Sequence, residues 1–188
     1  LERILQAVAD GTLSLQAAYD ALKGYEDLGY VKLDEHRPRR KGFPEVIYGE
    51  GKTAEQIIAI FKRLMVETPI VLATRVQPEK GEAVRRTLPE ITYDPVSRTL
   101  LYEKDEHKRI NARPIGILSA GTSDLPVAEE AAVTARAMGN AVKRFYDVGV
   151  AGIHRLFHQL DEIKTCSVLI VVAGMEGALP SVVAGLVP

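Results

Sequence analysis

Apolar residues at helical spacing begin the chain. Ile4 and Val8 lie one helical turn apart, and a second apolar stripe follows a break at Asp-Gly-Thr. Residues three or four positions apart line one face of a helix, so this pattern predicts helices over 1–9 and 14–23. The pair is too small to bury a core alone. We therefore expect residues 1–24 to form a helical hairpin that packs on another part of the protein or on another subunit.

The next stretch mixes the periodicities of helix and strand. The predicted elements are a strand at 46–48, a helix beginning at Thr53, a strand at 69–76, a helix at 78–87 and a hairpin of 91–93 with 99–102. Thr53 and Gln56 have the spacing of a capping box, which favours a helix start at that point. Residues 25–110 are therefore expected to form a small mixed α/β domain.

From residue 111 onward, strand and helix alternate regularly. The predicted strands are 115–119, 141–146 and 167–173, and the predicted helices are 126–138, 152–163 and one from 179. Short loops between alternating strands and helices are the signature of parallel βαβ units. The run Val168–Val172 is apolar throughout, which is typical of a strand buried on both faces. Residues 111–188 are therefore expected to form an α/β domain with a parallel sheet.

Three polar, glycine-containing loops follow the three strands of that sheet. They span Ser119–Asp124, Asp147–Arg155 and Ala173–Glu176. Because parallel strands present their carboxyl ends at one edge, the loops must share that edge, where open α/β sheets bind their ligands. We expect one polar site there for an anionic, nucleotide-like small molecule.

The first loop has the residues of an anion site. Gly121 lets backbone amides approach a ligand closely. Ser119, Thr122 and Ser123 offer hydroxyl groups beside the start of a helix. A phosphate is the expected guest. The competing interpretation is helix capping by Ser123 or Asp124.

The second and third loops add groups that can bind charge or move protons. His154 can transfer a proton near neutral pH, and Arg155 can hold a phosphate or carboxylate with two hydrogen bonds. Asp147 is a carboxylate at a strand end, and Glu176 lies between two glycines at the start of a helix. Simpler interpretations are a solvated His-Arg pair and a carboxylate stabilised by a helix dipole. The predicted ligand contacts of the third loop also include Gly174 and Met175.

A basic run at residues 37–41 has two interpretations. It is either a solvated loop or a clamp for a second phosphate, in which Arg37 and Arg40 contact the substrate. The Gly-Phe-Pro turn that follows would hold the arginines in a defined geometry, which favours the clamp. Cys166 precedes the last strand, at the opposite edge from the site, and is interpreted as a packing residue.

The composition excludes several classes of protein. The 188 residues carry 24 basic and 25 acidic side chains, a formal net charge of −1, which argues against a protein that coats nucleic acid. The single cysteine excludes an internal disulfide and favours a cytoplasmic protein. No apolar run reaches the roughly 18–20 residues of a membrane span. Four histidines and one cysteine offer little for a metal site, and no metal is expected.

Several long motifs resemble one enzyme family. They are SAGTSDLPVAEEAAVTA at 119–135, YDVGVAGIHRL at 146–156, VVAGMEGALPSVVAGLV at 171–187 and, near the N-terminus, DEHRPRRKGFPEVIYGEGKT at 34–53. Through these motifs the sequence resembles the LarB family, the pyridinium-3,5-biscarboxylic acid mononucleotide synthases. The second half also resembles the aminoimidazole ribonucleotide carboxylase (PurE) fold, at Thr122–Asp124, Ala151–Arg155 and Ala173–Glu176.

The resemblance implies a reaction and an architecture. LarB-like enzymes carboxylate the pyridinium ring of nicotinic acid adenine dinucleotide with carbon dioxide or bicarbonate. They then cleave the phosphoanhydride, which releases AMP and the biscarboxylated mononucleotide, the first step towards the nickel-pincer cofactor of lactate racemase. The implied fold is a small N-terminal α/β domain followed by a three-layer, parallel-sheet α/β sandwich of the PurE type. The implied assembly is an octamer-like homo-oligomer, with no bound cofactor.

The resemblance also implies roles for individual residues. Asp124 and His154 fall on ligand and proton-transfer positions, and Asp147 and Glu176 are further candidates for proton transfer. The family's nucleophilic cysteine lies in a segment beyond the Gly-Leu-Val stretch, and this sequence stops at Pro188 without it. Its only cysteine does not match that motif. Because the carboxylase fold adds at least one more strand after this point, the resemblance also implies that the parallel sheet is incomplete at its C-terminal end.

Two other functions are open at the level of sequence. A carboxylase or mutase acting on aminoimidazole ribonucleotide shares the Ser-Asp and His-Arg loops, although the block at 34–53 argues against it. A non-catalytic, nucleotide-binding regulator, as in relatives named for effects on circadian phase, would bind a ligand without chemistry.

Overall fold

A computed structural model describes residues 2–23, 25–27, 29, 32–34, 43, 45–104 and 113–188 of the chain. The chain folds into two compact units, Leu1–Glu45 and Val46–Pro188. The architecture is mixed α/β, as the sequence predicts. The predicted clamp residues Arg37 and Arg40 lie outside the described residues.

The first unit contains, in chain order, α1 (Glu2–Ala9), α2 (Leu15–Lys23), β1 (Tyr25–Asp27) and β2 (Lys32–Asp34). The Ser14 hydroxyl accepts a hydrogen bond from the Ala17 N–H at 3.1 Å and so caps α2. The two predicted helices are present. Strands β1 and β2 form an antiparallel hairpin that the sequence pattern does not predict. Strands of three residues are too short to show a recognisable apolar alternation.

The second unit contains a four-stranded sheet in the order β3-β4-β6-β5. Its elements are β3 (Val46–Tyr48), α3 (Ala54–Glu67), β4 (Ile70–Thr74), α4 (Pro78–Thr87), β5 (Thr92–Asp94) and β6 (Thr99–Glu103). Strand β3 runs parallel to β4, whereas β6 is antiparallel to both of its neighbours. Thr53 and Gln56 form the predicted capping box through reciprocal hydrogen bonds of 3.3 and 3.0 Å.

The same unit contains a three-stranded, fully parallel sheet in the order β8-β7-β9. Its elements are β7 (Ile115–Ser119), α5 (Leu125–Ala137), β8 (Val142–Phe145), α6 (Ile153–Ile163), β9 (Val168–Val172) and α7 (Ala178–Leu186). Ile117 packs against Ala128 of α5 on one face. Leu118 packs in a cluster with Leu156 of α6 and Leu179 of α7 on the other. Helices cover both faces, which is the predicted three-layer arrangement.

Helix α5 contacts both sheets. Val133 and Ala137 form a buried cluster with Ile70, Leu72 and Leu101 of the four-stranded sheet. The two sheets therefore share a layer of helix and belong to one compact unit. The domain boundaries expected after residues 24 and 110 stay predictions, because a division by compactness reports packing and not function.

Strand β9 lies at an edge of the described sheet, with β7 as its neighbour. Val168 is 52% exposed, and the next four residues are only partly buried. The prediction that this strand is buried on both faces is therefore confirmed only in part: Leu169 and Val171 pack against one core cluster and Ile170 and Val172 against another, but none of them is fully buried. An unbroken apolar run indicates a strand, but it does not indicate which strands lie beside it.

The described helices are short. The longest, α3, has 14 residues. None of the helices in the described ranges combines the length and the apolar character that crossing a membrane requires.

Candidate active site

The loops that follow β7, β8 and β9 meet around one cavity of about 340 Å³. Strand β7 is central, and the chain crosses to β8 on one side and to β9 on the other. The cavity thus lies at the switch point where open α/β sheets bind ligands. The structure brings eight of the predicted site residues to its wall: Gly121, Ser123, Asp124, Asp147, Arg155, Gly174, Met175 and Glu176.

Three other predicted residues lie away from the cavity wall. Ser119 is fully buried, and its hydroxyl has no hydrogen-bond partner among the described residues. It shares a face of β7 with Ile117, which packs towards α5. Thr122 is exposed to solvent and does not line the cavity. The exposed His154 ring lies edge-to-face against His158, with 6.5 Å between the ring centroids.

Asp124 connects the first loop to the third. Its Oδ2 accepts a hydrogen bond from the Gly121 N–H, and its Oδ1 accepts one from the Gly174 N–H, both at 2.9 Å. The Gly121 amide, which the sequence suggests as a phosphate ligand, is therefore engaged by a carboxylate. Helix α5 follows at once, with Pro126 in its first turn, where its missing N–H costs no hydrogen bond.

The second loop is joined to the first through its backbone. The Val148 and Gly149 N–H groups donate to the carbonyls of Ser119 and Ala120 at 3.0 and 2.9 Å. A Cβ on Gly149 would lie 2.6 Å from the Ala120 oxygen, so this position has no room for a side chain. The approach of the two backbones fixes where the second loop meets the cavity.

Asp147 and Arg155 form an ion pair within the second loop. Asp147 has a left-handed backbone, with a φ of 58°, and Arg155 Nε also donates to the Gly152 carbonyl at 3.4 Å. Both side chains are well exposed, so water screens the pair and its contribution to stability is small. The pair instead orients the guanidinium group at the cavity wall.

The third loop presents two exposed side chains to the cavity. Met175 is completely exposed and has a φ of 53°. Gly177 has a φ of 65° and directly precedes α7. Glu176 lies between these two left-handed residues. In the described part of the chain, Asp124 and Asp147 are both engaged, which leaves Glu176 as the cavity carboxylate whose oxygens are unoccupied.

The charge of the cavity wall is predominantly negative. Asp124, Asp147 and Glu176 supply three carboxylates, and Arg155 supplies one guanidinium group. Such an excess of negative charge attracts a cationic group and repels an anion that Arg155 does not bind directly. The anionic ligand expected from the loops alone therefore needs a positively charged part at this position.

Sequence reasoning missed the apolar part of the cavity. Ala120, Ala173 and Leu179 line it beside Val150 and Ala151 of the second loop. These side chains offer an apolar surface against which a flat ring can pack. Apolar residues at strand and helix ends give no sequence signal that separates a cavity wall from the core, although all of these residues except Leu179 lie inside the three predicted loops.

Cys166 lies ahead of β9, at the end of the sheet opposite to the cavity. It is buried in a cluster with Phe145 and Ile163, in agreement with its interpretation as a packing residue. Burial raises the pKa of its thiol. Among the residues that the structure describes, no group of three or more His, Cys, Asp or Glu side chains is arranged to hold a metal ion.

The fold and the cavity define an α/β protein whose ligand site lies at the carboxyl edge of a parallel sheet. A family model described as "LarB/PurE-like N-terminal domain" matches residues 25–104. The uncharacterized protein MJ0165 of Methanocaldococcus jannaschii is 40% identical over 199 aligned positions, covering 100% of this chain and 77% of that relative. The chain belongs to the LarB family.

Proposed function

We propose that the protein carboxylates the pyridinium ring of nicotinic acid adenine dinucleotide and hydrolyses its phosphoanhydride. Carbon dioxide or bicarbonate supplies the carboxyl group. The products are pyridinium-3,5-biscarboxylic acid mononucleotide and AMP, in the first step of nickel-pincer cofactor synthesis. The match to the LarB/PurE-like N-terminal domain supports this reaction.

The observation that carries the proposal is the charge of the cavity. Three carboxylates and one guanidinium group suit a ring that has a permanent positive charge and a carboxylate substituent. Arg155 binds the ring carboxylate through two N–H groups, and the surrounding carboxylates stabilise the cationic ring. Aminoimidazole ribonucleotide has no such permanent cation, so the cavity favours the pyridinium substrate over the purine-type alternative.

The carboxylation forms a carbon–carbon bond and releases one proton. A pyridinium ring is electron-poor, so a nucleophile first adds to it, and a ring carbon then attacks carbon dioxide. That carbon loses its proton to a base, and departure of the nucleophile restores the aromatic cation. Glu176 is suited to accept the proton, because its carboxylate lines the cavity without a partner among the described residues.

The nucleophile is not Cys166. Its thiol is buried, and it precedes β9, whereas the cavity follows that strand. Resemblance to the family assigns the nucleophilic cysteine to a segment beyond residue 188. The hydrolytic step adds water to the phosphoanhydride and breaks one P–O bond, which releases AMP. Assembly into an octamer-like homo-oligomer is part of the same proposal.

The test supplies the full-length protein with nicotinic acid adenine dinucleotide and radiolabelled bicarbonate. The expected result is label in a mononucleotide product, with one AMP released per label incorporated. Parallel reactions with aminoimidazole ribonucleotide test the alternative carboxylase. Calorimetry with the dinucleotide identifies a regulator, for which binding without label or AMP release is the expected outcome. Turnover of aminoimidazole ribonucleotide, or binding of the dinucleotide without label incorporation or AMP release, would overturn the proposal.

A further inference from the structure

Both oxygens of the Asp124 carboxylate are occupied by backbone amides. One amide belongs to its own loop, at Gly121, and the other belongs to Gly174, 50 positions away in the chain. Hydrogen bonds from N–H groups to an ionised carboxylate are stronger than those between neutral partners. The carboxylate is therefore turned towards the backbone of the two loops that it joins, whereas a general base must direct an oxygen at the proton of the substrate.

The Asp124–Gly174 bond continues the link between two strands beyond their ladder. The pairing of β7 with β9 extends to the Ala120 N–H, which donates to the Val172 carbonyl at 3.0 Å. Past this point the third loop turns away, and its Gly174 amide is held by Asp124. A Cβ on Gly174 would lie 3.2 Å from Asp124 Oδ1, so the contact also leaves little space for a side chain.

The residue held in this way is two positions from Glu176. Between them lies Met175, whose left-handed backbone turns the chain at the mouth of the cavity. A strained backbone of this kind persists only where the surrounding structure holds it in place. A loop fixed at Gly174 by Asp124, and at Gly177 by the bond from its N–H to the Gly174 carbonyl at 3.0 Å, presents the Glu176 carboxylate in one place.

We infer that Asp124 is a positioning residue that holds the third loop, and with it Glu176, and that Asp124 is not the proton acceptor. The task assigned to Glu176 rests on the proposed function, whereas the hold of Asp124 on the loop does not. The resemblance to the family implies a role in ligand binding or proton transfer for Asp124, whereas this inference gives Asp124 a positioning role.

Amide hydrogen exchange tests the hold of Asp124 without any substrate. Asp124→Ala should raise the exchange rate of the Gly174 amide roughly tenfold, because alanine has no side-chain oxygen to accept from that N–H. Asp161→Ala, an exposed substitution on α6, is the matched control and should leave that rate unchanged. In the unaltered protein, a coupling across the hydrogen bond from the Gly174 nitrogen to the Asp124 carboxylate carbon should be detectable. An unchanged exchange rate, or the absence of this coupling, would contradict the inference.

A double-mutant cycle in the full-length protein tests whether Asp124 acts through Glu176. Asp124→Asn alone should lower kcat roughly tenfold or more, and it should add little in a Glu176→Gln background, because a misplaced glutamine loses no further proton transfer. The acid limb of the kcat–pH profile, along which activity falls as the general base becomes protonated, should survive in Asp124→Asn and vanish in Glu176→Gln. Additive losses, or loss of that limb in Asp124→Asn, would make Asp124 the base and overturn the inference. If neither the unaltered protein nor any variant turns over the dinucleotide, the proposed function is contradicted. Hydrogen exchange alone then decides whether Asp124 holds the third loop.

Discussion

Arg75 Nε donates a hydrogen bond to Glu130 Oε2 at 2.8 Å and so joins the end of β4 to α5. The start of β4, at Ile70, belongs instead to a buried cluster with Val133 and Ala137, which lie towards the far end of that helix. Strand β4 therefore runs antiparallel to α5. The strands of the parallel sheet, which α5 covers on its other side, also run antiparallel to this helix. The carboxyl end of β4 consequently faces the same side of the unit as the cavity.

Replacing Arg75 by alanine should destabilise the protein more than replacing it by glycine. Both changes remove the ion pair, but Arg75 has a φ of 57°, which costs a residue with a Cβ about 1 kcal/mol relative to glycine. Arg85 is the matched control, because it forms an ion pair with Glu82 within helix α4, where alanine is preferred by about 1 kcal/mol. Urea unfolding should show opposite orders of stability at the two sites, and the same order at both would refute this expectation.

The elements that the sequence predicts well are those with local signals. The limits of α4 follow from Pro78 at its start and from the apolar spacing before Leu88, and β7 is bounded by Pro114 and the Ser-Ala-Gly turn. The edge position of β9 depends on which strands pair, and nothing within the run Val168–Val172 encodes that choice. Local pattern predicts an element, whereas its neighbours depend on contacts distant in the chain.

The same limit applies within the site. His154 and Arg155 are adjacent in sequence, yet Arg155 lines the cavity and His154 contacts His158. Consecutive residues of a helix point about 100° apart. An error of one residue in the predicted start of the helix therefore changes which of the two side chains is expected to face the cavity. The bond between Asp124 and Gly174 spans 50 positions. Its existence follows from the order of strands β7 and β9, which the loop sequences do not reveal.

Gly149→Ala should disrupt the cavity, because the new Cβ would lie 2.6 Å from the backbone oxygen of Ala120. That oxygen cannot move without breaking its hydrogen bond from the Gly149 N–H, so we expect a loss of about 1–3 kcal/mol in the free energy of unfolding. Calorimetry should also show weaker binding of the dinucleotide. Gly185→Ala in α7 is the matched control, since its new methyl group would meet no described atom within 4 Å other than those of its chain neighbours and of the backbone of its own helix. Equal stability for the two variants would contradict this prediction.

Cys166→Ala should flatten the loss of stability at alkaline pH. Burial raises the pKa of the Cys166 thiol in the folded protein, so folding favours the protonated form. This contribution is complete below the thiol's unfolded pKa, about 8.5, and is lost as the pH rises through the folded value. Urea unfolding from about pH 7.5, one unit below that unfolded pKa, to about pH 10 should show a steeper decline for the unaltered protein. Tyrosine titrations occur in both proteins and cancel, so parallel curves would show that the thiol does not titrate differently on folding.

Arg155 should determine whether the protein distinguishes nicotinic acid adenine dinucleotide from its nicotinamide counterpart. The two dinucleotides share the pyridinium cation and both nucleotide halves, and differ in a carboxylate or an amide on the ring. Because a guanidinium group binds a carboxylate through two charged hydrogen bonds, Arg155→Gln should weaken binding of the acid roughly tenfold or more, while binding of the amide changes little.

The ion partner of Arg155 supplies the complementary variant. Asp147 competes with the ring carboxylate for the guanidinium group, whereas its attraction for the cationic ring is the same for both dinucleotides. Asp147→Asn should therefore raise the affinity for the acid form relative to the amide form. Calorimetric titration of both dinucleotides against Arg155→Gln, Asp147→Asn and the unaltered protein gives, for each protein, the ratio of its affinities for the acid form and the amide form. If Arg155→Gln weakens both ligands equally, the guanidinium group binds a shared phosphate instead, and the ring carboxylate must be recognised by another group.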